Sequence, residues 1–139
     1  MKDRHDLVRS WIRKAESDLT AMELALAAGQ ALDTACFHAQ QAGEKYLKAY
    51  LIHIGMEFPY IHNLEKLIDL CSQRDPAFLE LKPLAALLTP FAVELRYDED
   101  FWPSLETVKE ARNAALKIKQ LVAQRLPQEL LNSTIGDYH

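Results

Sequence analysis

The stretch FHAQQAGEKYLKAYL, residues 37–51, decides the fold because its apolar residues recur at helical spacing with polar residues between them. The apolar positions of the stretch and its extension are Phe37, Ala39, Ala42, Tyr46, Leu47, Tyr50, Leu51 and Ile54. His38, Gln41, Lys45 and Lys48 follow one another at three- and four-residue steps, so they form one stripe on this helix. The stripe is either a solvated face beside a wide core or the lining of a binding site, and the pattern leaves both open.

Helical periodicity extends on both sides of this stretch. The predicted long helices cover residues 6–28, residues 33 or 34 to about 54, and residues 105–126. Asp33 or Thr34 is the predicted cap of the second helix, Asn63 of a third, and Ser104 of the last, because a short side-chain oxygen can accept hydrogen bonds from free amides at a helix start. Gly29 and Gly55 suit helix ends.

Two prolines interrupt the apolar segment that follows the third helix. Residues 77–95 have helical composition, but Pro83 and Pro90 each lack an amide donor. The segment is therefore predicted to form two short helices or one kinked helix. The complete pattern predicts an all-α protein, an antiparallel up-and-down bundle of about five helices, three long and two shorter. Residues 1–127 would form one domain, and residues 128–139 a loosely ordered tail.

Composition restricts the classes of function. The chain has 139 residues, of which 49% are hydrophobic, and a net charge of −4, which opposes broad, non-specific binding to nucleic acid. Cys36 and Cys71 lie in apolar helical patterns and lack metal-ligand spacing, so we predict core thiols and neither a metal nor a cofactor. The N-terminus has no signal core, and no apolar run approaches the roughly 18 residues of a membrane span. A cytoplasmic protein that does not contact membranes is expected.

Three motifs together resemble a known family. FHAQQAGEKYLKAYL is followed by IHNLEKLI at residues 61–68 and ELRYDEDF at residues 94–101. Their order and spacing resemble the HEPN domain family over roughly residues 6–126. The resemblance implies a bundle of about five helices that pairs as a homodimer. It also implies a minimal nucleotidyltransferase as a possible protein partner, in some cases as a toxin–antitoxin pair.

Other members of this family are metal-independent ribonucleases, whose signature is an arginine followed four to six residues later by a histidine. Arg96 stands at the expected place, but residues 97–103, YDEDFWP, contain no histidine. The three acidic residues in that stretch also oppose the approach of a phosphodiester. His38 or His62 could approach Arg96 from another helix, which one sequence does not show. Whether RNA is a substrate therefore stays open.

Nucleotide binding, which the resemblance also implies, fits the remaining residues better. Arg96, Lys45 and Lys48 could hold phosphates, Tyr97 or Phe101 could stack on a base, and Asp98 could hydrogen-bond a ribose or an amino group. The full predicted site is Arg96, Tyr97, Asp98, His38, Gln41, Lys45, Lys48 and His62. Three alternatives follow: a nucleotide-binding or nucleotidyltransferase-partner module, a ribonuclease toxin, and a structural dimeric subunit in which these residues only pack or face solvent.

Overall fold

The computed structural model describes residues 3–132, except for the side chains of Leu95, Arg96 and Asn132. Its elements in chain order are α1 (Arg4–Ala28), α2 (Leu32–His53), α3 (Leu64–Arg74), a 3-10 helix (Pro76–Leu81), α4 (Lys82–Leu88), α5 (Phe91–Tyr97), α6 (Leu105–Arg125) and α7 (Gln128–Asn132). No strand occurs within residues 3–132. The predicted all-α bundle with three long helices is confirmed.

The antiparallel pair α1–α2 is the centre of the bundle, and α6 packs against α2 and is joined to α1 by the ion pairs Arg112–Glu23 and Lys119–Glu16. Gly29 ends α1 with φ 65°, and its amide donates to the carbonyl oxygens of Ala25 and Leu26. Ala31 then precedes α2 with φ 52°, without a side-chain hydrogen bond to the helix start. The predicted cap at Asp33 or Thr34 is therefore wrong, because the tight connection already starts the helix at Leu32.

The other two predicted caps are confirmed. The Asn63 side chain accepts a hydrogen bond from the amide of Lys66 at 3.0 Å. The Ser104 hydroxyl oxygen accepts one from the amide of Thr107 at 3.1 Å. Both side chains satisfy a backbone donor that has no partner inside its own helix, and so they fix where α3 and α6 begin.

Replacing Ser104 by Ala should therefore lower the free energy of unfolding by about 1 kcal/mol. Ser17→Ala is the matched control, since Ser17 is exposed within α1 and alanine is the better helix former there. Urea denaturation measures both variants. Equal stabilities for the two variants would contradict the capping role of Ser104.

Residues 76–94 are, by length and composition alone, apolar enough to cross a membrane, with a mean hydropathy of 1.3. The structure divides them into the 3-10 helix, α4 and the beginning of α5. Pro83 lies in the first turn of α4, and Pro90 is the residue before α5. Phe78, Ala85 and Leu88 from this segment are fully buried in the bundle core. The prolines thus produce short helices, as predicted.

Close packing in the centre depends on Gly43. A Cβ atom added there would lie 3.2 Å from Cδ1 of Ile118 and 3.4 Å from Cδ1 of both Leu64 and Leu88. These side chains belong to α6, α3 and α4, so the missing side chain lets three elements meet α2 at one point. Gly43 precedes Glu44, and the same turn of α2 therefore joins the core to the polar side of the helix.

The C-terminal part differs from the prediction. Residues 128–132 form α7, and Leu130 is fully buried, so the chain stays packed beyond residue 127. Residues 133–139 of the predicted tail lie outside the described residues. Cys36 and Cys71 are both buried free thiols, and burial raises the pKa of each to about 12. Thiols with such pKa values are inert core side chains at neutral pH.

Candidate functional site

The polar stripe of α2 faces α1 and the connection before α3. Asp18 of α1 is 7% exposed and accepts two hydrogen bonds from α2. His38 Nδ1 donates to its Oδ1 at 2.8 Å, and Lys45 Nζ donates to its Oδ2 at 2.6 Å. One carboxylate therefore fixes both side chains, and the solvated-face interpretation of the stripe does not hold.

A second polar network centres on Glu44. Its Oε1 accepts hydrogen bonds from Gln40 Nε2 at 3.1 Å and from His62 Nδ1 at 2.9 Å. Its Oε2 accepts one from Lys48 Nζ at 3.0 Å. Gln41 Nε2 donates to Gln40 Oε1 at 2.7 Å, and Gln40 Nε2 also donates to the carbonyl oxygen of His62 at 3.0 Å. The network thus ties α2 to the connection that leads into α3.

The Glu44 network contains two charged side chains that are almost completely buried, and removing a charge from water is energetically unfavourable. Glu44 and Lys48 are each 4% exposed. An ion pair removed from water is stable only when its geometry is good and its remaining hydrogen-bonding groups are satisfied. Three donors around Glu44 meet that condition for the carboxylate. Apolar residues could fill the same volume at lower cost, so the network is a place to look for function.

The ammonium group of Lys48 also lies against two aromatic rings. Its nitrogen is 5.6 Å from the centroid of Trp11 and 5.7 Å from that of Phe58, within the range of a cation–π interaction. These three side chains border a cavity of about 410 Å³, which we call the aromatic cavity. Its lining is Trp11, Lys48, Ile52, Met56, Glu57, Phe58 and Tyr60.

A second cavity, of about 380 Å³, lies beside the aromatic cavity. Ser10, Trp11, Lys14 and Lys45 line it, and we call it the lysine cavity. Trp11 borders both cavities, so they are neighbours along the α1–α2 contact. Lys14 is exposed and makes no ion pair within residues 3–132, while Lys45 is bonded to Asp18. Two lysines therefore border the lysine cavity, and the ammonium group of one of them is bonded to Asp18.

The predicted residues of the α5 region occupy a different environment. The side chain of Arg96 lies outside the described residues. Tyr97 is 77% exposed, and Asp98 is exposed at the end of α5, where its Oδ1 accepts a hydrogen bond from the amide of Asp100 at 3.0 Å. Phe101 packs on Phe91, with ring centroids 5.6 Å apart. Neither Tyr97 nor Asp98 borders the aromatic or the lysine cavity.

The eight predicted residues thus separate into groups. Asp18 joins His38 and Lys45, and the Glu44 network joins Gln41, Lys48 and His62. The two groups share α2 and reach from it to α1 and to the connection before α3, whereas Tyr97 and Asp98 are not part of either. A common site for all eight stays a prediction.

Sequence reasoning missed several side chains of this region. Asp18 stands between the buried residues Ala15 and Met22 at helical spacing, so it falls within the apolar stripe of α1. A carboxylate within an apolar stripe was the sequence signal that could have revealed this residue. Gln40 and Glu44 stand beside the recognised stripe and are both buried. Trp11 and Phe58 approach Lys48 only through the fold, and nothing in the sequence pairs them.

Among the described residues, no group of three His, Cys, Asp or Glu side chains could hold a metal ion. The groups that the structure places at the α1–α2 contact are lysine ammonium groups, carboxylates, the imidazole of His38 and aromatic faces. These groups can bind an anion and a flat ring side by side. The protein is thus a small helical bundle in which the contact between α1 and α2 is polar and borders the aromatic and lysine cavities.

Comparison with known proteins identifies the family. The family model for the HEPN domain matches residues 8–126, and the chain belongs to that family. The crystal structure of TT1696 from Thermus thermophilus is similar, with 25% identity, a TM-score of 0.73, and coverage of 86% of this chain and 98% of that one. ST0689, an archaeal HEPN homologue, has 26% identity, a TM-score of 0.70, and coverage of 90% and 98%. A search of curated proteins found no match.

Proposed function

We propose that this HEPN-domain protein is a nucleotide-binding module that holds the phosphates of its ligand in the lysine cavity. The observation that carries the proposal is that Lys14 and Lys45 border one cavity of about 380 Å³ next to an aromatic one. Lysine is a common phosphate ligand in proteins because its ammonium group combines full charge with three donors. The chain's net charge of −4 is compatible with such a local cationic site.

Asp18 supports the proposal by fixing one of the two lysines. The Asp18 side chain is 10% exposed, and its carboxylate holds Lys45 Nζ at 2.6 Å. A lysine held in this way loses little side-chain freedom when a ligand binds, and this lowers the entropic cost of binding. Lys14 stays exposed and can adjust to the phosphate. The pair therefore combines one ammonium group that Asp18 holds and one that is exposed.

Titration calorimetry with mono-, di- and triphosphate nucleotides tests this proposal. Affinity should rise with the number of phosphates, and Lys14→Gln should weaken triphosphate binding roughly tenfold, as expected for the loss of a charged hydrogen bond. Lys66→Gln is the matched control, since Lys66 is also exposed and its ammonium group has no ion pair within the described part of the chain. Equal affinities of the two variants would contradict the proposed phosphate site.

The Asp18–His38 pair favours one other function, a metal-independent ribonuclease. A carboxylate on Nδ1 orients an imidazole so that its Nε2 can take up a proton, and His38 is partly exposed. The missing histidine after Arg96 opposes this alternative. Our proposal predicts intact RNA after long incubation of the protein with a chelator. Cleavage that His38→Ala abolishes would instead support the ribonuclease.

We also propose that the protein pairs with itself, with a minimal nucleotidyltransferase as in a toxin–antitoxin pair, or with both. Large apolar side chains in α5 and around the start of α6 support an interface there. Val93, Tyr97, Trp102 and Leu105 are 53%, 77%, 77% and 41% exposed. Light scattering after size exclusion should give the mass of a dimer, and Trp102→Ser should shift it toward the monomer. A native monomer would contradict self-pairing.

A further inference from the structure

The aromatic cavity has a composition that restricts its ligand. Its walls are apolar or aromatic, from Trp11, Ile52, Met56 and Phe58, and Tyr60 at its edge is fully exposed. A flat apolar ring would gain contact with both Trp11 and Phe58 and would remove their faces from water. A purely apolar ligand does not suit the cavity, however, because Lys48 and Glu57 also border it.

A ligand that fills the aromatic cavity must offer Lys48 a hydrogen-bond acceptor. Its ammonium group has three donors, and Glu44 is its one hydrogen-bond acceptor within residues 3–132. The side chain is 5% exposed, so an apolar ligand that closed the cavity would leave the other donors without a partner. A ring that carries a nitrogen or carbonyl acceptor at its edge would supply that partner.

Glu57 favours a hydrogen-bond donor on the ligand, whereas Lys48 favours an acceptor. It is exposed, borders the cavity, and forms no hydrogen bond or ion pair with any residue in the described range 3–132. Its carboxylate accepts hydrogen bonds only, and it repels phosphate. A ring with an N–H donor near its acceptor therefore fits the cavity, and an anionic group attached to that ring is directed away from Glu57.

Nucleobases combine these properties: a flat π face, edge acceptors and edge N–H donors. Trp11 borders both cavities, so the aromatic cavity lies next to the lysine cavity. We infer that the aromatic cavity is the base subsite of the nucleotide whose phosphates occupy the lysine cavity, with the ring between Trp11 and Phe58. Lys48 donates to the base, and Glu57 accepts from it. This inference rests on the proposed function.

Tryptophan fluorescence tests the base subsite. The chain has two tryptophans, and Trp102→Phe leaves Trp11 as the single indole reporter. In this background, nucleoside triphosphates should quench Trp11, and nucleosides should do so more weakly. Inorganic tripolyphosphate should bind by calorimetry without comparable quenching. Quenching by tripolyphosphate to the same extent would overturn the stacking on Trp11.

Phe58→Leu separates this inference from the proposed function. It should weaken nucleoside triphosphate binding roughly tenfold, the loss expected for one stacked base, and leave tripolyphosphate affinity unchanged, which also shows that the variant is folded. Phe101→Leu is the matched control in the α5–α6 connection, and it should have no effect. If Phe58→Leu bound nucleotides normally while Lys14→Gln did not, the base subsite would be wrong and the proposed function would stand. If neither nucleotides nor tripolyphosphate bound, both would be wrong.

Discussion

Replacing Glu44 by Ala is expected to lower the free energy of unfolding by about 3–5 kcal/mol, which is the cost of leaving a buried charge without its partner. Lys48 would keep its buried ammonium group without the carboxylate that lies 3.0 Å away. Gln40 and His62 would also lose an acceptor. Urea denaturation followed by circular dichroism measures the change. Glu110→Ala is the control, because Glu110 is exposed on α6.

A second substitution identifies the cause of this loss. If the unpaired ammonium group is responsible, Lys48→Met in the Glu44→Ala background should recover part of the stability, since it removes the charge and keeps the apolar stem. A loss no larger than that of Glu110→Ala would contradict the buried ion pair. A double variant less stable than Glu44→Ala alone would show that packing, and not charge, is the cause.

Phe78→Ala should cost about as much, roughly 3–5 kcal/mol, because it removes a large buried ring and leaves a cavity. Phe78 is fully buried, and its ring centroid lies 4.5 Å from that of Tyr50. It belongs to residues 76–94, whose composition alone would suit a membrane span. A large loss would show that this segment completes the core of the bundle.

The neighbouring residue provides the control for this prediction. Leu79 is 49% exposed, and Leu79→Ala should change the stability by no more than about 0.5 kcal/mol, as is usual for surface positions. Both variants are compared by urea denaturation at the same temperature. Equal small losses for Phe78→Ala and Leu79→Ala would place Phe78 outside the core and would contradict the packing of the 3-10 helix.

Local signals in the sequence were sufficient for most of the fold. Asn63 and Ser104 accept hydrogen bonds from amides only three residues further along the chain, and a proline restricts the helical turn in which it lies. The sequence alone therefore revealed these helix boundaries. The start of α2 was mispredicted because the left-handed Ala31 depends on how two antiparallel helices are joined. Leu130 was missed as a core residue because its burial depends on contact with distant parts of the chain.

Of the candidate site, only the residues on α2 could be predicted from the sequence. The spacing of Lys45 and Lys48 placed them on one stripe of α2, and both border cavities in the structure. The carboxylates that hold them come from α1 and from the neighbouring face of α2, and the aromatic walls come from residues 11 and 58. Such pairings require three-dimensional proximity, which periodicity within one helix does not encode.

The two indole groups of the chain distinguish the two regions in which a nucleotide could bind, the α1–α2 contact and the α5 region. Trp11 borders both cavities of the α1–α2 contact, whereas Trp102 is exposed and directly follows residues 96–101 in the chain. A nitrogen–proton correlation spectrum of the native protein shows one side-chain indole signal for each tryptophan. On titration with nucleoside triphosphates, we predict that the Trp11 signal shifts and the Trp102 signal does not. A shift of Trp102 alone, or of neither signal at saturating nucleotide, would contradict the account.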